Sequence, residues 1–133
     1  MAQLIGTPWT AVAEVIPDGE VQEIKQAIMR REALQKEAVT QYAVHIDADC
    51  LGDTLLVRTK RAGDRMRPLG MEHEKKVQDV LVDAHIPRAE RASIPLFFSA
   101  SYCVWLAGVH IDDRVRLMSG TQRILRLSIV PGS

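Results

Sequence analysis

Residues 61–70 read RAGDRMRPLG, and no regular helix or strand can run through them. Gly63 and Gly70 loosen the backbone, Pro68 removes an amide donor, and Arg61, Arg65 and Arg67 crowd cations into the same stretch. The segment has to be a loop, and the chain on either side of it can be read by its own periodicity. On local sequence the loop has two readings. Glycines that admit a phosphate to the backbone, with arginines supplying charge, describe an anion site. A solvated turn whose arginines pair with nearby acids, Asp64 among them, describes the same residues.

Before the loop, residues 9–16 alternate as a strand and stop at Pro17-Asp18-Gly19. Residues 20–39 hold good helix formers with Val21, Ile24 and Ile28 at helical spacing. Tyr42, Val44 and Ile46 then alternate with polar neighbours, residues 47–53 supply turn chemistry, and 54–59 form a second short strand. The two strands are spaced to make a hairpin. After the loop, Val77, Val80, Leu81 and Ala84 mark the apolar stripe of a helix that leaves Lys75, Lys76 and Asp79 on or near its other side. Pro87 ends that helix and opens a shorter one carrying Arg88, Glu90 and Arg91. Residues 94–98, 102–106 and 123–130 read as strands. Helices and strands mix without a repeated βαβ rhythm, so the fold class is α+β, and 133 residues suit one domain.

The net charge is zero, with 17 basic and 17 acidic side chains, but residues 58–91 hold nine of the basic groups against six acidic ones. A neutral total is compatible with an anionic partner wherever such cations converge. Lys75 and Lys76 sit near a helix start, where the dipole disfavours cations. That placement points weakly to an anion, and Glu72 and Glu74 offer a local offset. No G-x-x-x-x-G-K-[ST] or G-x-G-x-x-G motif supports nucleotide binding. His45, Asp47 and Asp49 share a strand face, but a strand running into a turn explains them better than a metal, so no metal is expected. No catalytic constellation is visible, and Asp112-Asp113 beside Arg114 read as a turn. Cys50 and Cys103 stand apart and are expected to be reduced, which points to the cytoplasm. No run approaches a membrane span.

In order, VRTKRAGDRMRPLGM, EKKVQDVLVDAHIPRAERASIPL, VWLAGVHIDDRVRL and TQRILRL resemble the C-terminal substrate-binding domain of bacterial tRNA(Ile)-lysidine synthetases. Arg58, Gly63, Asp64, Arg65, Pro68, Leu69 and Gly70 match the family loop. Lys75, Lys76 and Asp79 match its helix, Ile86, Pro87, Arg91 and Pro95 its connection, and Val104, Trp105 and Gly108 the strand and turn beyond. The resemblance covers about residues 42–130, so 42–133 is expected to be the family unit and 1–41 a weakly matched strand and helical segment of the same domain. Glu72-His73-Glu74 stand where the family often carries glycine.

What the resemblance implies is a small mixed domain, sandwich-like and flanked by helices, shared with the phenylalanyl-tRNA synthetase β chain. It implies part of an ATP-dependent ligase that joins lysine to the wobble cytidine of tRNA(Ile), a tRNA modification. Catalysis in the family belongs to an N-terminal domain with an S-G-G-x-D-S loop, absent from this sequence, where ATP and magnesium would bind; no cofactor is expected here. The implied partners are tRNA(Ile), held by its acceptor stem, and that N-terminal catalytic domain, with no membrane and with a homodimer left open. Arg58, Arg61, Arg65, Lys75, Lys76, Arg88 and Arg91 are the expected RNA contacts. Gly63, Pro68 and Gly70 would shape the loop, and Asp64 and Asp79 would hold arginines in place. The low aromatic fraction of 5% suits a stem better than a single strand. Two other classes stay open: a docking module packing the 20–39 helix and Trp105 against a protein, and a small phosphate-processing enzyme.

Overall fold

The computed structural model describes residues 2–3, 8–34, 42–49, 51, 55–99 and 102–131. Two four-stranded antiparallel sheets form its frame. The first is ordered β1 (Ala2–Gln3), β2 (Trp9–Val15), β10 (Ile124–Pro131), β3 (Ala43–Asp47). The second is ordered β4 (Leu56–Arg58), β7 (Leu96–Ser99), β8 (Tyr102–Leu106), β9 (His110–Ile111). A ribbon of β5 (Arg65–Met66) and β6 (Lys75–Lys76) leads into α2 (Val77–Asp83), followed by α3 (Arg88–Arg91), while α1 (Val21–Leu34) lies between β2 and β3 in the chain. The class is α+β, as the segment pattern predicts.

The second sheet is buried on both faces. Phe97, Val104, Trp105 and Ile111 join Val44, Ile46, Leu127 and Ile129 of the first sheet in one core. Leu96, Phe98, Cys103 and Leu106 meet Met66 and the Val77, Val80 and Leu81 stripe of α2 in another. Burial on both sides is why residues 94–98 and 102–107 read as near-continuous apolar runs. Val77, Val80 and Leu81 are buried as their spacing predicts, and Ala84 is half-buried. Trp105, expected at a docking surface under one reading, is fully buried and stacks at 5.1 Å on Phe97.

The expected hairpin between residues 42–46 and 54–59 does not form. β3 pairs with β10, setting Ile46 opposite Leu125 and Val44 opposite Leu127, whereas β4 pairs with β7 in the other sheet. The turn residues between them are committed elsewhere. Asp49 accepts hydrogen bonds from the amides of Gln122 and Arg123, and Ala48 donates to Arg123. Asp47 accepts from the Thr121 hydroxyl at 2.6 Å. These long-range bonds fasten the end of β3 to the turn that enters β10 of the same sheet, and they give Asp47 and Asp49 structural roles there. Lys25 of α1, 4% exposed, donates to the carbonyls of Ser119 and Thr121 and fastens the helix to the same turn. Residues 35–39 of the expected helix, together with Cys50, Asp53 and Thr54, lie outside the described residues.

Candidate nucleic-acid interface

Arg58 is the hub of the glycine-containing loop. Its guanidinium lies 4.2 Å from the centre of the Phe98 ring and forks both carboxylate oxygens of Asp64 at 2.8 Å. Asp64 also accepts from the Arg61 amide at 2.7 Å, while its own carbonyl accepts from the Val77 amide at the start of α2. Gly63 completes the turn at φ 89°, in the region where a side chain would be strained. The loop is therefore ordered, and one of its predicted RNA contacts, Arg58, is spent largely on ordering it.

The second half is clamped from residues 45 or so positions along the chain. Asp112, fully buried, accepts from the Arg67 amide at 2.7 Å, and Asp113 takes the Arg67 guanidinium at 2.8 Å and the Gly70 amide at 3.0 Å. Leu69 donates to the Ile111 carbonyl, and buried Pro68 bridges to Asp112 with no amide left over. Gly70 turns the chain away at φ 84°. Arg114 locks Asp112 with two further side-chain bonds and lies 3.7 Å over Tyr102, and Arg116 reaches Asp113 at 2.8 Å. This acid–arginine network escaped the sequence reading, in which Asp112 and Asp113 were simply turn residues.

With the loop fixed, its cations sort into two groups. Lys75 is ion-paired to Asp83, and Arg65 and Arg114 share Glu74 at 3.6 and 3.2 Å. Lys60, Arg61 and Lys76 instead surround a hollow of about 200 Å³ beside Gly63, Asp64 and Gln78. None of the three belongs to an ion pair among the described residues, and Arg61 and Lys76 are exposed. Lys60 was missed, although it adjoins Arg61 in the same VRTKR run. Arg88 is exposed on α3, and Arg91 donates to the Ile86 carbonyl at 2.9 Å; neither lines the hollow. Among the described residues Asp79 holds no arginine: it is exposed in the first turn of α2, where its charge suits the helix dipole.

Burial pushes the Asp64 carboxyl up, but hydrogen bonds from Arg58 and the Arg61 amide outweigh it and hold the group below its ordinary 3.8. Asp113 behaves alike, with burial opposed by the Gly70 amide, Arg67 and Arg116. Burial also pushes the Cys103 thiol far up, so this free cysteine is a packing group. A depressed carboxylate stabilises the fold fully above its unfolded value and loses that contribution as pH falls through the lower folded one. The difference in unfolding midpoint between the parent and Asp64→Asn should thus be full at neutral pH and close as pH falls below 3.8. A difference that persists undiminished in strong acid would mean that shape, not charge, carries the Asp64 contribution.

The model of the TilS substrate C-terminal domain family matches residues 55–129. A tRNA(Ile)-lysidine synthase of Symbiobacterium thermophilum is 44% identical over 84 residues, 63% of this chain and 17% of that protein. One from Dehalococcoides mccartyi is 39% identical over 83 residues, 62% of this chain and 18% of that protein. The chain thus spans less than a fifth of these relatives. A crystal structure of a TilS C-terminal domain superposes over 95% of this chain and 86% of that one, with a TM-score of 0.66 and 22% identity. An N-terminal fragment of the phenylalanyl-tRNA synthetase β-subunit from Pyrococcus horikoshii covers 91% of this chain and 38% of its own, with a TM-score of 0.60 and 11% identity. Both structural likenesses concern the fold.

Proposed function

The chain belongs to the TilS substrate C-terminal domain family, and from that premise we propose that it grips tRNA(Ile) by the acceptor stem for a ligase domain elsewhere in the protein. That other domain would bind ATP with magnesium and join lysine to the wobble cytidine in the cytoplasm. Lys60, Arg61 and Lys76 hold stem phosphates, with Arg65, Arg88 and Arg91 extending the contact. The observation that carries this reading is the hollow ringed by those three cations beside Gly63, where no carboxylate forms an ion pair with any of them among the described residues. Cations that the described residues leave out of ion pairs, on a loop braced from both ends, suit a polyanion whose shape is fixed in advance.

Duplex RNA is recognised through phosphates, 2′-hydroxyls and shape, so few aromatic side chains are required at such a face. Arg58 and Lys75 serve the same face indirectly, by ordering the loop and by pairing with Asp83. The test is the affinity of the chain for a short RNA stem across a salt series. Log affinity should fall linearly with log salt, with a slope of roughly −3 or steeper, because each phosphate neutralised releases counterions. No binding at low salt, or a slope near zero, would overturn the proposal.

A further inference from the structure

The chain has a second concave surface, and its chemistry differs from that of the basic hollow. It is a groove of about 410 Å³ whose lining includes Trp9, Tyr42, Ile86, Ile94 and Val109. The chain's other aromatic side chains are committed: Phe97 and Trp105 to the core, Phe98 beneath Arg58, and Tyr102 beneath Arg114. Trp9 packs against the first core from its edge and also stacks with Tyr42 at 5.5 Å, inclined by 33°, and Tyr42 is 50% exposed. They form an aromatic shelf over an apolar floor.

We infer that this groove takes unpaired nucleotides that flank the bound stem. The inference deepens the proposed function and rests on it. Among the described residues no cation lines the groove, so it is suited to bases and not to phosphates. Cations are carried by α3, the short helix whose Glu90 lines the groove. The Arg91 side chain is tethered at Nε to the carbonyl of Ile86, a lining residue, and has no ion-pair partner among the described residues. Arg88 is exposed on the same short helix. From that helix and the turn after it, Glu90 and Ser93 bring the polar groups of the lining, acceptors for base amino groups and a hydroxyl. An aromatic platform with polar groups within it and arginines on the adjoining helix matches the needs of single-stranded nucleotides, whose exposed faces stack and whose backbone is anionic. Bases inside a duplex cannot reach such a platform. The groove therefore lets Arg88 and Arg91 carry the stem contact on to the unpaired strand.

The experiment compares the intact chain on a blunt RNA stem and on the same stem with a short single-stranded 3′ extension. The extension should tighten binding by roughly tenfold, the scale of stacking a base on an aromatic ring. Tyr42→Ala and Trp9→Ala should each cancel most of that gain while leaving blunt-stem affinity unchanged, with circular dichroism confirming the fold. Trp9 fluorescence should be quenched by the extended stem only, since the other tryptophan, Trp105, is buried. Tyr42→Ala and Trp9 quenching keep the inference testable if Trp9→Ala fails to fold. Equal affinity for both stems overturns this inference and leaves the proposed function standing. Failure of both stems to bind removes the two together. An extension effect indifferent to Tyr42→Ala, or a self-association that Tyr42→Ala abolishes, also overturns it, the latter by assigning the groove to a second copy of the chain.

Discussion

Replacing Asp112 by Ala should destabilise the fold by about 3 kcal/mol and lower its thermal midpoint by roughly 10 °C. Asp112 is fully buried and its carboxylate accepts from the Arg67 amide, the Arg114 amide and two nitrogens of the Arg114 guanidinium. Removing it leaves these donors without their acceptor at the junction where loop, β9 and the following helical turn meet. Unmet donors in such a place cost more than the bonds themselves contribute. The Arg114 side chain is 32% exposed and also reaches Glu74, so part of its charge can be resolvated, which keeps the expected loss toward the lower end for a broken buried pair. Asp112→Asn should cost less, because it retains the shape and one carbonyl acceptor. Glu72→Ala, on an exposed residue, is the control and should change stability by no more than about 0.5 kcal/mol. Thermal or urea unfolding of the three variants checks the order. Equal midpoints for Asp112→Ala and Glu72→Ala would mean that the network decorates the loop without holding it.

That network also shows where sequence reasoning stops. The α2 stripe was legible because Val77, Val80 and Leu81 are neighbours in the chain and face one way by helix geometry alone. Strands were legible from alternation or apolar runs, but their partners were not: pairing β3 with β10 depends on residues some 80 positions away, and local turn chemistry suggested a hairpin instead. The basic block was equally visible, yet a sequence counts charges without showing which are neutralised. Lys75 and Lys76 are adjacent and looked equivalent. The ribbon sends one toward Asp83 and the other into the hollow, since successive residues of a strand point to opposite sides. Lys60 lay in plain view in the VRTKR run, and only the turn closed by Asp64 brings it to Lys76. The clamp by Asp112 and Asp113 crosses more than 40 residues, a distance at which no local pattern carries information.

Changing Lys60, Arg61 and Lys76 together to Ala should weaken stem binding by roughly a hundredfold or more near 0.1 M salt and make the salt slope shallower by about two to three units. Each cation is expected to neutralise one phosphate and release its counterion, a contribution that grows as salt is lowered. The loss should be similar for stems of different sequence, because phosphate contacts position a protein without reading bases. Folding should be barely affected: none of the three is in an ion pair among the described residues, and the Arg61 bond to Asp64 comes from its backbone amide, which survives the substitution. Lys75→Ala removes the same formal charge from a neighbouring position, but that charge is already paired with Asp83. It should therefore shift affinity only a few-fold and leave the slope within about half a unit of the parent. Comparing the triple variant with Lys75→Ala across one salt series separates convergence from mere net charge. If both lose affinity in proportion to the number of cations removed, the hollow has no special standing and the basic block acts only through its total field. A triple variant that binds like the parent would move the RNA face away from this loop altogether.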